Sequence, residues 1–265
     1  MSVAGFRGAA HDVAEGARRG WLWGALGRND IRQRYSGSVL GSLWITVNIV
    51  LLVLFLTMIF ARPFGVTRVA YVPYAAVGLV LWYFIQATLL EAPHIFVTAA
   101  DAVRHSTLPL SVQVFRLCCR NAIVLAHNAV IVPVVLLWFR VPVGAGLFAA
   151  LAGLLLLFVA LTAAGLLLAV VGARFRDVSQ FVSNGLQLLF FATPIFWLPS
   201  ALGPERMWIA TVNPAFALID VVRAPLTGAA PAPTSWAIAA AFTAAIVAAA
   251  ALVFSRHHER ISYWV

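Results

Sequence analysis

"RNDIRQRYSGSVLGSLWITVNIVLLVLFLTMIF", Arg28–Phe60, decides the class of this protein. Four charged residues crowd its first seven positions; after Tyr35 come small residues, and then no charge until Arg62. A charged cluster followed by more than 20 apolar residues reads as the cytoplasmic approach to a membrane-spanning helix.

The rest of the 265-residue chain agrees. It is 63% hydrophobic and 10% charged, against about 25% charged residues in soluble domains, and its mean hydropathy is +0.95. Six apolar runs have the length of a span: Val39–Ala61, Val72–Ala92, Leu117–Phe139, Leu147–Ala173, Val178–Leu198 and Trp236–Phe254. The expected fold is an all-α integral membrane protein with one membrane domain over 39–254. An N-terminal segment 1–38 precedes it and a tail 255–265 follows. The first 20 residues lack the apolar core of a cleavable signal peptide, so the first span is expected to act as its own insertion signal.

All 18 basic residues are arginine. With the N-terminus inside, thirteen arginines fall on inner segments and five on outer ones, so both termini are expected in the cytoplasm. The same excess accounts for the net charge of +9 without nucleic acid as a partner. A phosphate-cradling P-loop and a Schiff-base enzyme each require a lysine, and the sequence has none. The only cysteines, Cys118 and Cys119, are adjacent and have no metal-ligand spacing around them.

Three segments outside the spans carry pattern. In "HDVAEGARRGWLWGALGRNDIRQRY", Val13, Ala17, Trp21 and Ala25 fall at four-residue steps, as in an amphipathic helix lying in the membrane interface. Between Pro93 and Pro109, the residues Ile95, Phe96, Ala99, Ala102 and Val103 have helical spacing beside Asp101, Arg104 and His105, which suits a short helix across the cytoplasmic face. The segment between the fifth and sixth runs is broken by Pro194, Pro199, Pro204 and Pro214. There Asn213 and Pro214 read as N-cap and first helical residue, and Asp220 and Arg223 stand three apart, able to pair. Two short helices dipping into the outer leaflet are expected, with Asn213, Pro214, Asp220 and Arg223 as an outer gate, since irregular backbone at that depth survives only beside a cavity or within protein.

Four stretches, in order, resemble one family. Arg28-Asn29-Asp30-Ile31-Arg32-Gln33-Arg34-Tyr35 with Ser38-Val39-Leu40-Gly41 and Leu43-Trp44 is similar to the opening of ABC-2 type permeases that export polysaccharides. "GLVLWYFIQATLLEA" (78–92), "ARFRDVSQFVSNGLQLLFFATPIFW" (173–197) and "NPAFALIDVVR" (213–223) resemble later stretches of that family, and the terminal "RISYWV" is similar to its O-antigen members. The resemblance implies a homodimer, two copies of a separate ATPase subunit that binds ATP and Mg, and a lipid-linked polysaccharide substrate at the bacterial inner membrane. It leaves this chain with no cofactor, no metal and no enzymatic activity of its own. It also implies that Arg28, Asp30, Arg32, Arg34, Asp101, Arg104, Arg174, Arg176 and Asp177 couple to the ATPase. Capsule, teichoic acid, galactan or drug export is the near alternative. A membrane-embedded glycosyl- or phosphotransferase is the distant one, and would call for paired acids that the sequence lacks.

Sugar rings present apolar C–H faces that stack on aromatic rings. Trp44 and Phe55 on the first span, and Phe190, Phe191, Phe196 and Trp197 near the end of the fifth, are therefore expected to line a channel together with Gln187, because polar residues within spans seldom face lipid.

Overall fold

The computed structural model describes residues 3–37, 41, 43–60, 67–105, 107–142, 144 and 146–265. Among these, every regular element is a helix. The linker residues Ser38, Val39, Leu40 and Ser42 of the opening stretch, and the Ala61 and Arg62 positions after it, lie outside the described residues.

The N-terminal segment forms two helices, α1 (Val3–Arg18) and α2 (Gly20–Arg34), broken at Arg19, not one continuous amphipathic helix. The expected apolar stripe is split as a result: Trp21 is 75% exposed, and α2 buries Gly24 and Gly27 instead. Glycine is placed where α2 crosses the third span, and a Cβ at Gly27 would stand 3.3 Å from the backbone of Arg116 and Arg120. Gly37 and Gly41 both take positive φ, +81° and +53°. They turn the chain between α2 and the first span and do not form a helix-packing pair.

Among the described residues, five helices are long and apolar enough to cross a membrane. They are α3 (Leu43–Phe60), α4 (Arg68–Glu91, continuing to Thr98), the pair α7 (Ser111–Asn128) and α8 (Ile131–Trp138), α9 (Gly146–Arg174), and α13 (Pro233–His257, continuing to Trp264). The α7–α8 break at Ala129–Val130 precedes Pro133, whose missing N–H leaves the Ala129 carbonyl to accept from Val132 instead, at 3.0 Å. Between α4 and α7, a 3-10 turn (Ala92–His94) leads into α5 (Ile95–Thr98) and α6 (Ala100–His105), the short helical connection the sequence predicts.

The fifth apolar run behaves differently. Its helix α10 (Val178–Ala192) has 15 residues, about 22 Å at 1.5 Å per residue. That is short of the roughly 30 Å hydrocarbon core. The chain then runs non-helical from Thr193 to Leu198, extended at both ends and bent between them, passes two 3-10 turns, and forms α11 (Met207–Thr211) and α12 (Pro214–Leu226). The tail ends in α14 (Ile261–Trp264).

α4 is the hub, with most of its side chains buried. α9 is the second axis and packs along α12 and α13. It presents glycine wherever another backbone crosses: a Cβ at Gly153 would lie 2.7 Å from the Val221 carbonyl oxygen. Helix association in lipid relies on this close approach, because apolar burial alone gives little advantage there.

Candidate functional site

Three polar constructions stand out against the apolar frame. The first holds the non-helical segment after α10. Tyr74 on α4 donates its hydroxyl to the carbonyls of Pro194 (2.9 Å) and Trp197 (3.2 Å), and Tyr71 donates to Phe196 (2.5 Å). From α12, Arg223 donates Nη1 to Pro194 at 2.8 Å. Asn213 caps α12 by accepting from the N–H groups of Ala215 and Phe216, at 2.9 and 3.2 Å. Its amide donates to Thr193 Oγ1 and to the Ala192 carbonyl. The carbonyls of Ala192, Pro194, Phe196 and Trp197 thus each meet a side chain, and that of Thr193 accepts from the Ile195 N–H at 2.7 Å, as polar backbone inside a membrane protein requires. Gly78 makes the approach possible, since a Cβ there would lie 3.0 Å from the Ile195 carbonyl and 3.2 Å from Arg223 Nη1.

Arg223 is 1% exposed. Its guanidinium lies 3.8 Å from the Tyr74 ring centroid, a desolvated cation–π contact. The expected pair with Asp220 is present but long, at 3.9 Å, and Asp220 takes its hydrogen bond from Ser235 Oγ at 2.8 Å. Of the four residues expected at an outer gate, Asn213 and Arg223 thus clamp the non-helical segment, Pro214 opens α12, and Asp220 turns to Ser235.

The second construction is a groove of about 400 Å³ between α3, α4 and α10. Trp82, Tyr83 and Gln86 line it from α4, and Ser183, Gln187 and Phe191 from α10. Three of the aromatic residues expected to line a channel meet at this groove: Phe190 packs against Phe191 (5.4 Å) and Phe196 (5.3 Å), and also against Trp82 (5.6 Å). Phe190 and Phe196 fill the wall, whereas Phe191 is exposed. Trp197 turns its indole N–H onto the Phe191 carbonyl at 3.0 Å. Trp44 and Phe55 are 58% and 60% exposed on α3 and do not line this groove. Only Leu186 of α10 is fully buried. Gln180, Ser183, Asn184 and Gln187 repeat at steps of three and four along its exposed side, and Gln180 donates to Asn184 at 3.0 Å.

The third construction lies where α2, α4 and α7 meet. Asp30 takes a bidentate pair from Arg116 (2.7 and 2.5 Å) and a third bond from Arg120 (3.1 Å). Arg120 also bonds Glu91, which accepts from Arg34 at 2.5 Å. The bond to Glu91 holds the Arg34 guanidinium above its ordinary pKa. Asp30 and Arg34, expected to face an ATPase, are thus engaged within the chain, and Glu91 pairs with two arginines. Arg28 and Arg32 point to the opposite, exposed side of α2. Sequence reasoning counted Arg116 and Arg120 only as orientation signals; their four-residue spacing on one helix face was the available clue.

Further anchors join the elements at this end of the helices. The Asp12 carboxylate on α1 accepts from the N–H groups of Leu110 and Ser111, at 2.8 and 3.0 Å, at the start of α7. Arg104 on α6 bonds the main-chain oxygen of Val265, with Nε at 2.6 Å. Arg174 lies 5.2 Å over Trp264. Asp101, Arg176 and Asp177 remain exposed. Among the described residues no His, Cys, Asp and Glu group could hold a metal ion.

The profile of the ABC-2 type transporter family matches residues 22–227, a range that takes in all three constructions. This chain belongs to the ABC-2 type transporter family. It is a transporter subunit, not an enzyme, and its apolar helices make it a multi-pass membrane protein. Two O-antigen export system permease proteins RfbA of Klebsiella pneumoniae are each 24% identical to it over 194 residues, covering 72% of this chain and 74% of theirs.

Proposed function

We propose that this ABC-2 chain is one of two identical membrane subunits of an ATP-driven exporter that carries a lipid-linked polysaccharide of O-antigen type across the bacterial inner membrane. Two copies of a separate ATPase bind ATP and Mg below it. The family match and the likeness to O-antigen export permeases support this reading, and the observation that carries it is the exposed polar face of α10. Four amide and hydroxyl side chains along a helix of a membrane protein cannot face hydrocarbon without cost. They require water or a hydrophilic cargo. A second copy facing α10 and the exposed side of α3 would enclose such a path, with Gln187 and Phe191 on its wall and Trp44 and Phe55 on the neighbouring one.

In this reading the chain crosses the membrane six times with both termini inside, α1 and α2 lie in the inner interface, and α11 and α12 re-enter from outside. The fifth crossing is α10 completed by the non-helical segment, which the clamp of Tyr71, Tyr74, Asn213 and Arg223 makes tolerable at depth. The ATPase docks on α6 and the loop before α10, through Asp101, Arg176 and Asp177, beside Arg104 and Arg174, which the C-terminal tail holds in place. Its motion reaches α2 through the Asp30–Arg120–Glu91 network.

The test is to purify the chain with its cognate ATPase and reconstitute it in lipid nanodiscs. A two-plus-two complex whose ATP hydrolysis rises with lipid-linked glycan is expected. Hydrolysis indifferent to the glycan, or no association with the ATPase, would sink the proposal.

A further inference from the structure

We infer that the outward face of α2 is a binding site for one anionic phospholipid of the inner leaflet, seated by Arg28 and Arg32. Of the six arginines in the N-terminal segment, Arg28 and Arg32 stand one turn apart on the exposed side of α2. Neither has an ion pair or hydrogen bond among the described residues, whereas Arg34 on the other side is committed to Glu91. A cavity of about 560 Å³ opens beside them, lined by Ala25, Arg28, Asn29, Ile31, Arg32 and Ile123.

The composition of that cavity is that of a lipid seat. Two guanidiniums and an amide present forked donors to a phosphodiester. Ile31 and Ile123 form an apolar floor, and Ile123 lies on α7 one turn beyond Arg120, deeper into the span. A headgroup at the arginines would thus have its acyl chains directed along α7. Trp21, 75% exposed, is seven residues before Arg28 on the same side of α2, where an indole suits headgroup depth. Basic pockets beside spans on the cytoplasmic side are recognised settings for anionic headgroups. The occupant is fixed by charge: the seat carries two unneutralised positive charges, and its lining has no acid to favour a zwitterionic lipid or a basic protein surface. The site belongs to the chain alone and does not depend on the transport reading.

The experiment is native mass spectrometry on the full chain released from nanodiscs. Phosphatidylglycerol is titrated against phosphatidylcholine, and retained lipid per chain is counted. One phosphatidylglycerol per chain should persist in the parent protein and in the charge-matched control Arg176→Gln/Arg256→Gln. The mole fraction for half-occupancy should rise about thirty-fold in Arg28→Gln/Arg32→Gln, since each cation at the surface contributes about fivefold. Retention equal in both double variants, or equal for phosphatidylcholine, overturns the assignment. So does a double variant that keeps its lipid but no longer binds the ATPase or a second copy, which would make this face a protein interface. The double variant should keep the parent's elution volume, because neither arginine supports the fold.

Discussion

At the residue scale, the Pro194 carbonyl shows what keeps a broken helix stable within a membrane protein. It has two donors, Tyr74 and Arg223, from two helices. Removing one leaves the other, whereas removing both strands a buried acceptor, and such a group costs about 1–3 kcal/mol. Tyr74→Phe and Arg223→Met should therefore be destabilising singly, and the double variant should lose about 1–2 kcal/mol more than their sum. Unfolding free energies in mixed micelles would read this, and simple additivity would contradict the shared-carbonyl account. Asp30 makes a comparable case. Its side chain is 8% exposed and serves two arginines, so Asp30→Asn leaves their positive charge partly buried and uncompensated. A loss of about 3 kcal/mol is expected, seen as a lowered melting midpoint in detergent.

At the element scale, the contrast between α9 and α10 is one of backbone approach. On α9, a Cβ at Gly172 would stand 2.3 Å from the Pro93 carbonyl oxygen, at the turn that begins the connection from α4 to α7. Gly172→Ala should push that turn away and strip monodisperse protein from size-exclusion profiles. On α10, a Cβ at Gly185 meets nothing within 4 Å. Gly185→Ala should leave the fold intact and raise the melting midpoint slightly, because alanine is favoured over glycine in a helix by about 1 kcal/mol. The outcomes would reverse if α10 were packed in the core and α9 peripheral.

At the scale of the whole molecule, α10 is the least embedded long helix, with Leu186 alone fully buried and the row of Gln180, Ser183, Asn184 and Gln187 exposed. If two copies enclose a path along it, single cysteines at Asn184, in a Cys119→Ala background, should cross-link copy to copy in membranes, since the remaining Cys118 is buried. Gln187→Leu should retain basal ATP hydrolysis in the reconstituted complex while slowing glycan-stimulated turnover several-fold. Absence of cross-links at Asn184 and at its exposed neighbour Gln180 would place this face in lipid and contradict the enclosed path.

The helices were legible from the sequence because the pattern that forms them is local. Runs of apolar residues satisfy their own backbone, so the bounds of α4, α9 and α13 fall within a few residues of the runs, and Asn213–Pro214 begins a helix wherever it is placed. The gathering of Gln187, Phe190, Phe191 and Phe196 was also legible, since nine or fewer residues separate them. What distance along the chain separates was not. Asp12 meets Ser111, Asp30 meets Arg116, and Tyr74 meets Pro194 only after packing. A charged or polar side chain in the sequence carries no mark of its partner. Apolar runs thus determined which segments are helices; tertiary packing decided that the opening cluster turns Asp30 inward, pairs Arg34 with Glu91 and leaves Arg28 and Arg32 outside, because a carboxylate leaving water is stabilised by the nearest guanidinium whatever its place in the chain.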